Sequence, residues 1–224
     1  MRRKFRWVLS ILLACFLGYG GACQAGVDED YLAALKSYRD GDVVGAMPVL
    51  RKAADAGHAK AQVLLAELLD RSEFDEEAIA YYRKAAGQGD ADGMLGYGVM
   101  AAAGEGLKKK DPAEGQRWIQ KAADLGHAQA VNVMALAYLK AELGLTENDR
   151  NTAEALRWVR LAARNDFLPA VDALADAYRT GNGLPVSVNA AIAADYLAQA
   201  NRLRGIDSSG KKKKGRKILI APAS

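Results

Sequence analysis

Small and bulky apolar residues recur along this chain in step with one another. Paired alanines open at Ala53, Ala85, Ala122 and Ala162, with a degenerate copy at Ala200, giving intervals of 32, 37, 40 and 38 residues. Four positions upstream stand Val49, Tyr81, Trp118, Trp158 and Tyr196, one helical turn before the small residue and on the same face. The bulky side chain of one unit can therefore lie over the alanine-lined groove of the next. The wording repeats as well: Lys52-Ala53-Ala54-Asp55-Ala56-Gly57-His58-Ala59 returns as Lys84 to Ala91 and again as Lys121 to Ala128, with a weaker copy at Leu161 to Asp166. Self-similarity at this period predicts a stack of helix hairpins, none able to bury its apolar face alone.

A second helix precedes each of these. Aligning 28–41, 59–72, 91–104, 128–141 and 168–181 gives a common register. Its third position is small in four units: Ala61, Gly93, Ala130 and Ala170. The seventh reads Ala34, Leu65, Tyr97, Met134 and Leu174, and the eighth Leu35, Ala66, Gly98, Ala135 and Ala175. Tyr38, Tyr138 and Tyr178 share the eleventh. Apolar and small residues at steps of three and four describe helices packed on more than one side.

Between the helices, Gly104-Glu105-Gly106-Leu107 and Gly181-Asn182-Gly183-Leu184 match one another. Glycine admits positive φ at little cost and so ends a helix and reverses the chain. Gly57, Gly89 and Gly126 end the second helix of three units in the same way, and Asp111-Pro112 reads as a helix start.

With the register in place, a family resemblance emerges. Ala128-Gln129-Ala130, Met134-Ala135, Tyr138, the Gly181-Asn182-Gly183 turn, and Trp158 ahead of Ala162-Ala163 resemble the Sel1-like repeat, a relative of the tetratricopeptide repeat. The likeness covers roughly residues 28–204, and the first two units, with shorter interhelical turns, look closer to tetratricopeptide hairpins. The fold class expected is all-α, an α-solenoid of about five antiparallel hairpins. The units run 28–58, 59–90, 91–127, 128–167 and 168–204 within a domain spanning 26–206. The resemblance implies a right-handed superhelix whose first helices line the concave wall, and a role in binding other proteins.

The ends differ from the repeats. Met1 to Arg6 is strongly basic and Trp7 to Leu17 is apolar but too short to span a bilayer comfortably. Small residues follow, with Cys23-Gln24-Ala25 ahead of Gly26, so residues 1–25 read as a signal peptide cleaved after Ala25 and the mature protein as periplasmic. Arg2-Arg3 followed by Phe5 hints at the twin-arginine route, but the core is strongly apolar and no cofactor motif calls for folded export. Lipid anchoring through Cys15 or Cys23 is the minor alternative. Cleavage after Ala25 leaves no cysteine, in keeping with an exported protein stabilised by stacking and not by disulfides. Residues 207–224 form a basic tail, with Lys211 to Lys214, Arg216 and Lys217 ahead of Ile218-Leu219-Ile220.

The net charge of +4 conceals an asymmetry. Without the four basic residues of the leader and the six of the tail, residues 26–209 hold 21 basic against 27 acidic groups. Residues 28–105 hold 8 against 15, whereas 106–209 are nearly balanced at 13 against 12. An acidic body argues against nucleic-acid binding, which needs a basic surface. The tail is read as a solvated end, or as a weak contact for an anionic lipid surface or an acidic partner.

Positions five, nine and twelve of each first helix share one face. They read Leu32/Lys36/Arg39, Val63/Glu67/Asp70, Leu95/Val99/Ala102, Asn132/Leu136/Leu139 and Asp172/Asp176/Arg179. An apolar centre with charged ends is the pattern of a protein-binding groove, although Leu95, Val99 and Leu136 could instead pack between neighbouring repeats. The residues expected to touch a partner are Glu67, Asp70, Leu95, Val99, Asn132, Leu136, Asp176 and Arg179.

No phosphate loop, nucleophile elbow or metal-ligand spacing stands apart from the repeat, so no cofactor, metal or catalytic residue is expected. His58 and His127 occupy the same slot after the terminal glycine, which favours a turn role over catalysis. The reading is a non-catalytic exported bacterial scaffold that binds a protein partner: an effector, a sensor or an envelope assembly component. The resemblance adds finer alternatives: an immunity protein capping a secreted toxic effector such as a phospholipase, or a regulator of envelope signalling. It also adds a hydrolase of cell-wall or β-lactam substrates, but the relatives with that activity carry disulfide-linked hairpins, which a mature chain without cysteine cannot make.

Overall fold

The computed structural model describes residues 25–206, in which every regular element is a helix. The leader apart from Ala25, both cysteines and the basic tail lie outside the described residues. Two compact bodies are formed, one ending at Leu125 and the other beginning at Gly126.

The first body contains α1 (25–39), α2 (Val43–Asp55), α3 (Ala59–Asp70), α4 (Asp75–Gly87), α5 (Ala91–Ala103) and α6 (Pro112–Asp124). From α2 onward each helix packs on the next, and α3 also packs on α5. The paired alanines are what make this possible. Ala53, Ala54, Ala85, Ala86, Ala122 and Ala123 are all buried, and so is the small third position of the following helix at Ala61 and Gly93. A methyl group added to Gly93 would lie 2.6 Å from Ala85 Cβ and 2.8 Å from Ala86 N, so α4 and α5 meet backbone to backbone. Around this contact, Gln62 is buried between the two units, donating to Ala54 O at 2.9 Å and accepting from Gln88 at 2.8 Å. Tyr81 reaches back one repeat to donate to Asp55 at 2.7 Å, as the bulky-over-small spacing suggests.

The second body contains α7 (Ala128–Lys140), the single turn α8 (Glu147–Arg150), α9 (Ala153–Arg164), α10 (Leu168–Thr180) and α11 (Ala190–Leu203). Here α7 packs on α9 and α10, while α10 packs on α9 and α11. Trp158, Val159, Leu174, Val171 and Met134 are wholly enclosed, with Ala130, Ala162, Ala163 and Ala170 at the close contacts. The turn α8 was not foreseen from sequence. It is closed by a local device, Thr146 and Asp149 exchanging hydrogen bonds as a capping box.

Helix ends fall where the turn chemistry places them. Gly57, Gly89 and Gly126 adopt φ of 97°, 89° and 84°. The fourth copy, lacking glycine at this slot, puts Asp166 there at 57°, a conformation Asp tolerates better than most residues. The residue after the glycine is an N-cap in three units. Asp90 Oδ1 accepts from Gly93 N at 3.0 Å, and His58 Nδ1 and His127 Nδ1 accept from Ala61 N and Ala130 N at 3.1 and 3.2 Å. Each imidazole thus uses its Nδ1 lone pair to satisfy a helix N–H that would otherwise be orphaned. This explains the repeated histidine slot. His127→Ala is expected to cost about 1 kcal/mol, while His127→Asp keeps the cap and adds a favourable charge at the helix start. Thermal melts of the two variants check this, and equal destabilisation by both would contradict the capping role.

Candidate functional site

In the first body the candidate face is built by α3 and α5. Glu67 and Asp70 occupy the last turn of α3, and Leu95 and Val99 lie on α5. Val99 is 43% exposed, whereas Leu95 is half-buried; Val63, at position five of α3, is enclosed in the core. Only part of this register is therefore open to a partner. Tyr82 from α4 comes up between the two helices. The gap exists because Gly96 has no side chain: a methyl group there would sit 2.7 Å from Tyr82 Cζ. Burial, together with the nearby carboxylates of Glu67 and Asp70, pushes the Tyr82 phenol well above its ordinary value. Lys60 closes the N-terminal side of the face, pairing with Asp90 at 2.9 Å and Asp92 at 2.8 Å. Sequence reasoning overlooked Tyr82 because it adjoins the repeat's bulky position, Tyr81, and belongs to a second helix. The absent side chain at Gly96 was the available signal.

Burial also raises the Glu67 carboxyl, with Arg71 opposing and Asp92 assisting. Because its folded value lies above its unfolded one, the native state binds this proton more readily than the unfolded chain does. Its contribution to stability is present in acid and lost as pH rises through the raised value. Glu67→Gln removes that loss. The variant is expected to melt higher than the parent at pH 7, with the gain shrinking as pH falls through the ordinary carboxylate range. A lower melting temperature at pH 7 would show that Glu67 is instead held in its charged form.

In the second body the register falls on α7 and α10. Asn132 and Leu136 are half-buried on α7, and Asn132 Oδ1 is enclosed without a hydrogen-bond partner among the described residues. Asp176 and Arg179 are exposed on α10 and pair with each other, an arrangement that adds little stability in water. Asp172 pairs across to Arg204. These three α10 residues line a cavity of about 420 Å³ whose floor is apolar, formed by Ala190, Ala193 and Leu197 of α11. Sequence reasoning considered first helices alone and so missed the α11 wall. Trp118, on α6 of the first body, is half-buried: its ring meets Tyr97 edge-on at 5.6 Å and its N–H donates to Glu114 at 2.6 Å. Among the described residues, no group of three or more His, Cys, Asp or Glu side chains lies placed to hold a metal ion.

Helix hairpins of nearly equal length, joined at alanine pairs and ended by left-handed residues, define a helical-repeat protein. The Sel1 repeat family matches residues 59–90, 91–127, 128–167 and 169–204, more than half of the chain, and the chain belongs to that family. Sel1 repeat proteins generally serve as non-catalytic scaffolds that bind other proteins. Solved structures agree on the fold. A protective antigen of uropathogenic Escherichia coli with an SLR fold superimposes with a TM-score of 0.70 at 24% identity, over 81% of this chain and 39% of its own. The chain thus spans about two fifths of that antigen's length. A Sel1 repeat protein of Oxalobacter formigenes gives a TM-score of 0.66 at 27% identity, over 77% and 70% of the two chains. An immunity protein of Pseudomonas aeruginosa aligns over 80% of this chain and 65% of its own at 23% identity, with a TM-score of 0.43. No curated protein matches the sequence significantly.

Proposed function

We propose that this chain is an exported, non-catalytic Sel1 scaffold that holds a partner polypeptide on the face of its first helices. The observation that carries this reading is the open apolar side chain of Val99 beside half-buried Leu95 on α5, with Glu67 and Asp70 on α3, the helix packed against it. An apolar contact rimmed by carboxylates suits a polypeptide with an apolar anchor and basic flanks. The anchor supplies affinity and the charges set association rate and selectivity. In the second body, taken by itself, Leu136 and Asn132 on α7 and the Asp176–Arg179 pair beside the apolar α11 wall occupy the equivalent repeat positions. Export to the periplasm is supported by the basic and apolar order of residues 1–25.

The test is capture of the partner by tagged mature protein from an envelope fraction, with mass spectrometry to identify it. Val99→Glu is expected to lower recovery of that partner about tenfold while leaving the helical circular dichroism unchanged. Undiminished recovery would remove Val99 from the interface. A toxic effector as the captured protein would make the scaffold an immunity protein, a sensor would make it a signalling regulator, and a polysaccharide or envelope component an assembly factor. Robust hydrolysis of peptidoglycan or a β-lactam, lost on Glu67→Gln, would overturn the non-catalytic reading.

A further inference from the structure

A second site of different chemistry lies in the body that begins at Gly126. Arg160 and Arg164 stand one turn apart on α9 and therefore share a face. Against them, Tyr178 of α10 and Tyr196 of α11 stack with ring centroids 5.9 Å apart and planes 14° from parallel. The two arginines, the two tyrosines, Ile192 and Gln199 line one cavity of about 400 Å³. That volume falls at the lower end of the range for small-ligand sites, about 300–1,000 Å³.

The charged side chains that line this cavity are both cationic. Among the described residues Arg51, Arg117, Arg150, Arg157, Arg179 and Arg204 pair with carboxylates, whereas Arg39, Arg71, Arg83 and Arg202 have no such pair. Arg160 and Arg164 also have none among the described residues. Arg160 Nη2 instead donates to Tyr178 Oη at 2.6 Å. The Tyr178 oxygen accepts there, so its own proton remains to be given to another acceptor. The neighbouring carboxylate, Asp166, already accepts from Gln199 Nε2 at 2.9 Å. The same amide donates to Ala163 O at 2.9 Å, tying α11 to the end of α9. The lining thus offers two guanidinium groups and one phenol hydroxyl as donors beside aromatic and aliphatic surface, with the Asp166 carboxylate held at its edge by the Gln199 amide.

We propose that this cavity binds an oxyanion carried on an apolar or aromatic stem, a phosphoryl or carboxylate group. The planar forks of Arg160 and Arg164 match two oxygens of such a group, and the Tyr178 hydroxyl supplies a further donor. Tyr178, Tyr196 and Ile192 cover the stem. Both arginines are exposed, so a ligand reaches them without unfolding the hairpin. The inference goes beyond the partner-face reading and uses none of its residues.

Calorimetric titration of the mature protein with phenyl phosphate, inorganic phosphate and phenylacetate tests it. Phenyl phosphate or phenylacetate is expected to bind saturably at or below millimolar concentration, and the tighter of the two identifies the oxyanion. Inorganic phosphate, having no stem, is expected to bind at least about tenfold more weakly than phenyl phosphate. Arg164→Gln should weaken binding about tenfold, and raised salt should weaken it further. Because Arg164 is exposed, an unchanged melt confirms that the variant is folded. Absence of saturable binding by the parent, or a double Arg160→Gln/Arg164→Gln variant that binds as tightly as the parent, would overturn the proposal. Neither result would bear on capture of a partner through Val99.

Discussion

Trp158→Ala is expected to destabilise the second body by about 3–5 kcal/mol, the usual cost of emptying a large aromatic site in a close-packed core. Trp158 is 0% exposed and is the largest side chain fully enclosed in the described residues. It lies on α9, which packs on both α7 and α10, so the cavity would open where three helices meet. Stacked repeats transmit stability mainly to their neighbours. The loss should therefore appear as faster amide exchange in α7, α9 and α10, with the helices up to Leu125 less affected. The indole N–H has no acceptor among the described residues. Trp158→Phe, which deletes that unmet donor and keeps most of the ring, should cost far less than the alanine variant. Similar melting curves for parent and Trp158→Ala would mean that α9 does not seat its bulky face as described.

The second large effect reverses what helix propensity alone predicts. Alanine normally stabilises a helix interior by roughly 0.5–1 kcal/mol over glycine. At Gly115 a methyl group would lie 2.5 Å from Gly98 O and 2.6 Å from Ala102 Cβ. At Gly98 it would lie 2.7 Å from Ile119 Cγ1 and 2.8 Å from Gly115 O. Helices α5 and α6 therefore touch through backbone at two glycines, and backbone atoms cannot swing aside as a long side chain does. Overpacking of this kind costs about 1–3 kcal/mol, which exceeds the propensity gain. Gly115→Ala should be destabilising, and Gly115→Val by about 3 kcal/mol or more, since its branch meets the same atoms. Gly87, with open space around its Cβ position, supplies the control: Gly87→Ala should stabilise by several tenths of a kcal/mol. Urea denaturation measures all three, and a stabilised Gly115→Ala would refute the close contact of α5 with α6.

Much of the scaffold was legible because its signals are local. The Gly57, Gly89 and Gly126 slot ends helices through a backbone angle, Asp111 caps the helix that begins at Pro112 by accepting from Glu114 N, and the alanine pairs announce where helices must approach. None of these needs a distant partner to be recognised. The repeated slot of His58 and His127 points to a turn role, but their task as Nδ1 caps depends on the orientation of the ring. The turn α8 escaped notice since four residues carry no periodicity. Positions five, nine and twelve were recognised as one face, but the differing openness of Val63, Leu95 and Val99 depends on which helices lie across from them.

Element type, repeat length and small-residue seams can be read along the chain, because helix periodicity, caps and glycine turns act over a few neighbouring residues. Which groups meet across helices depends on how the helices pack. Tyr82 rises into the gap left by Gly96, Ala190, Ala193 and Leu197 wall the groove beside Asp176, and Arg160 and Arg164 line one cavity with Tyr178 and Tyr196. Those encounters join residues from different helices, and what each side chain finds there is set by packing that no single stretch of chain encodes.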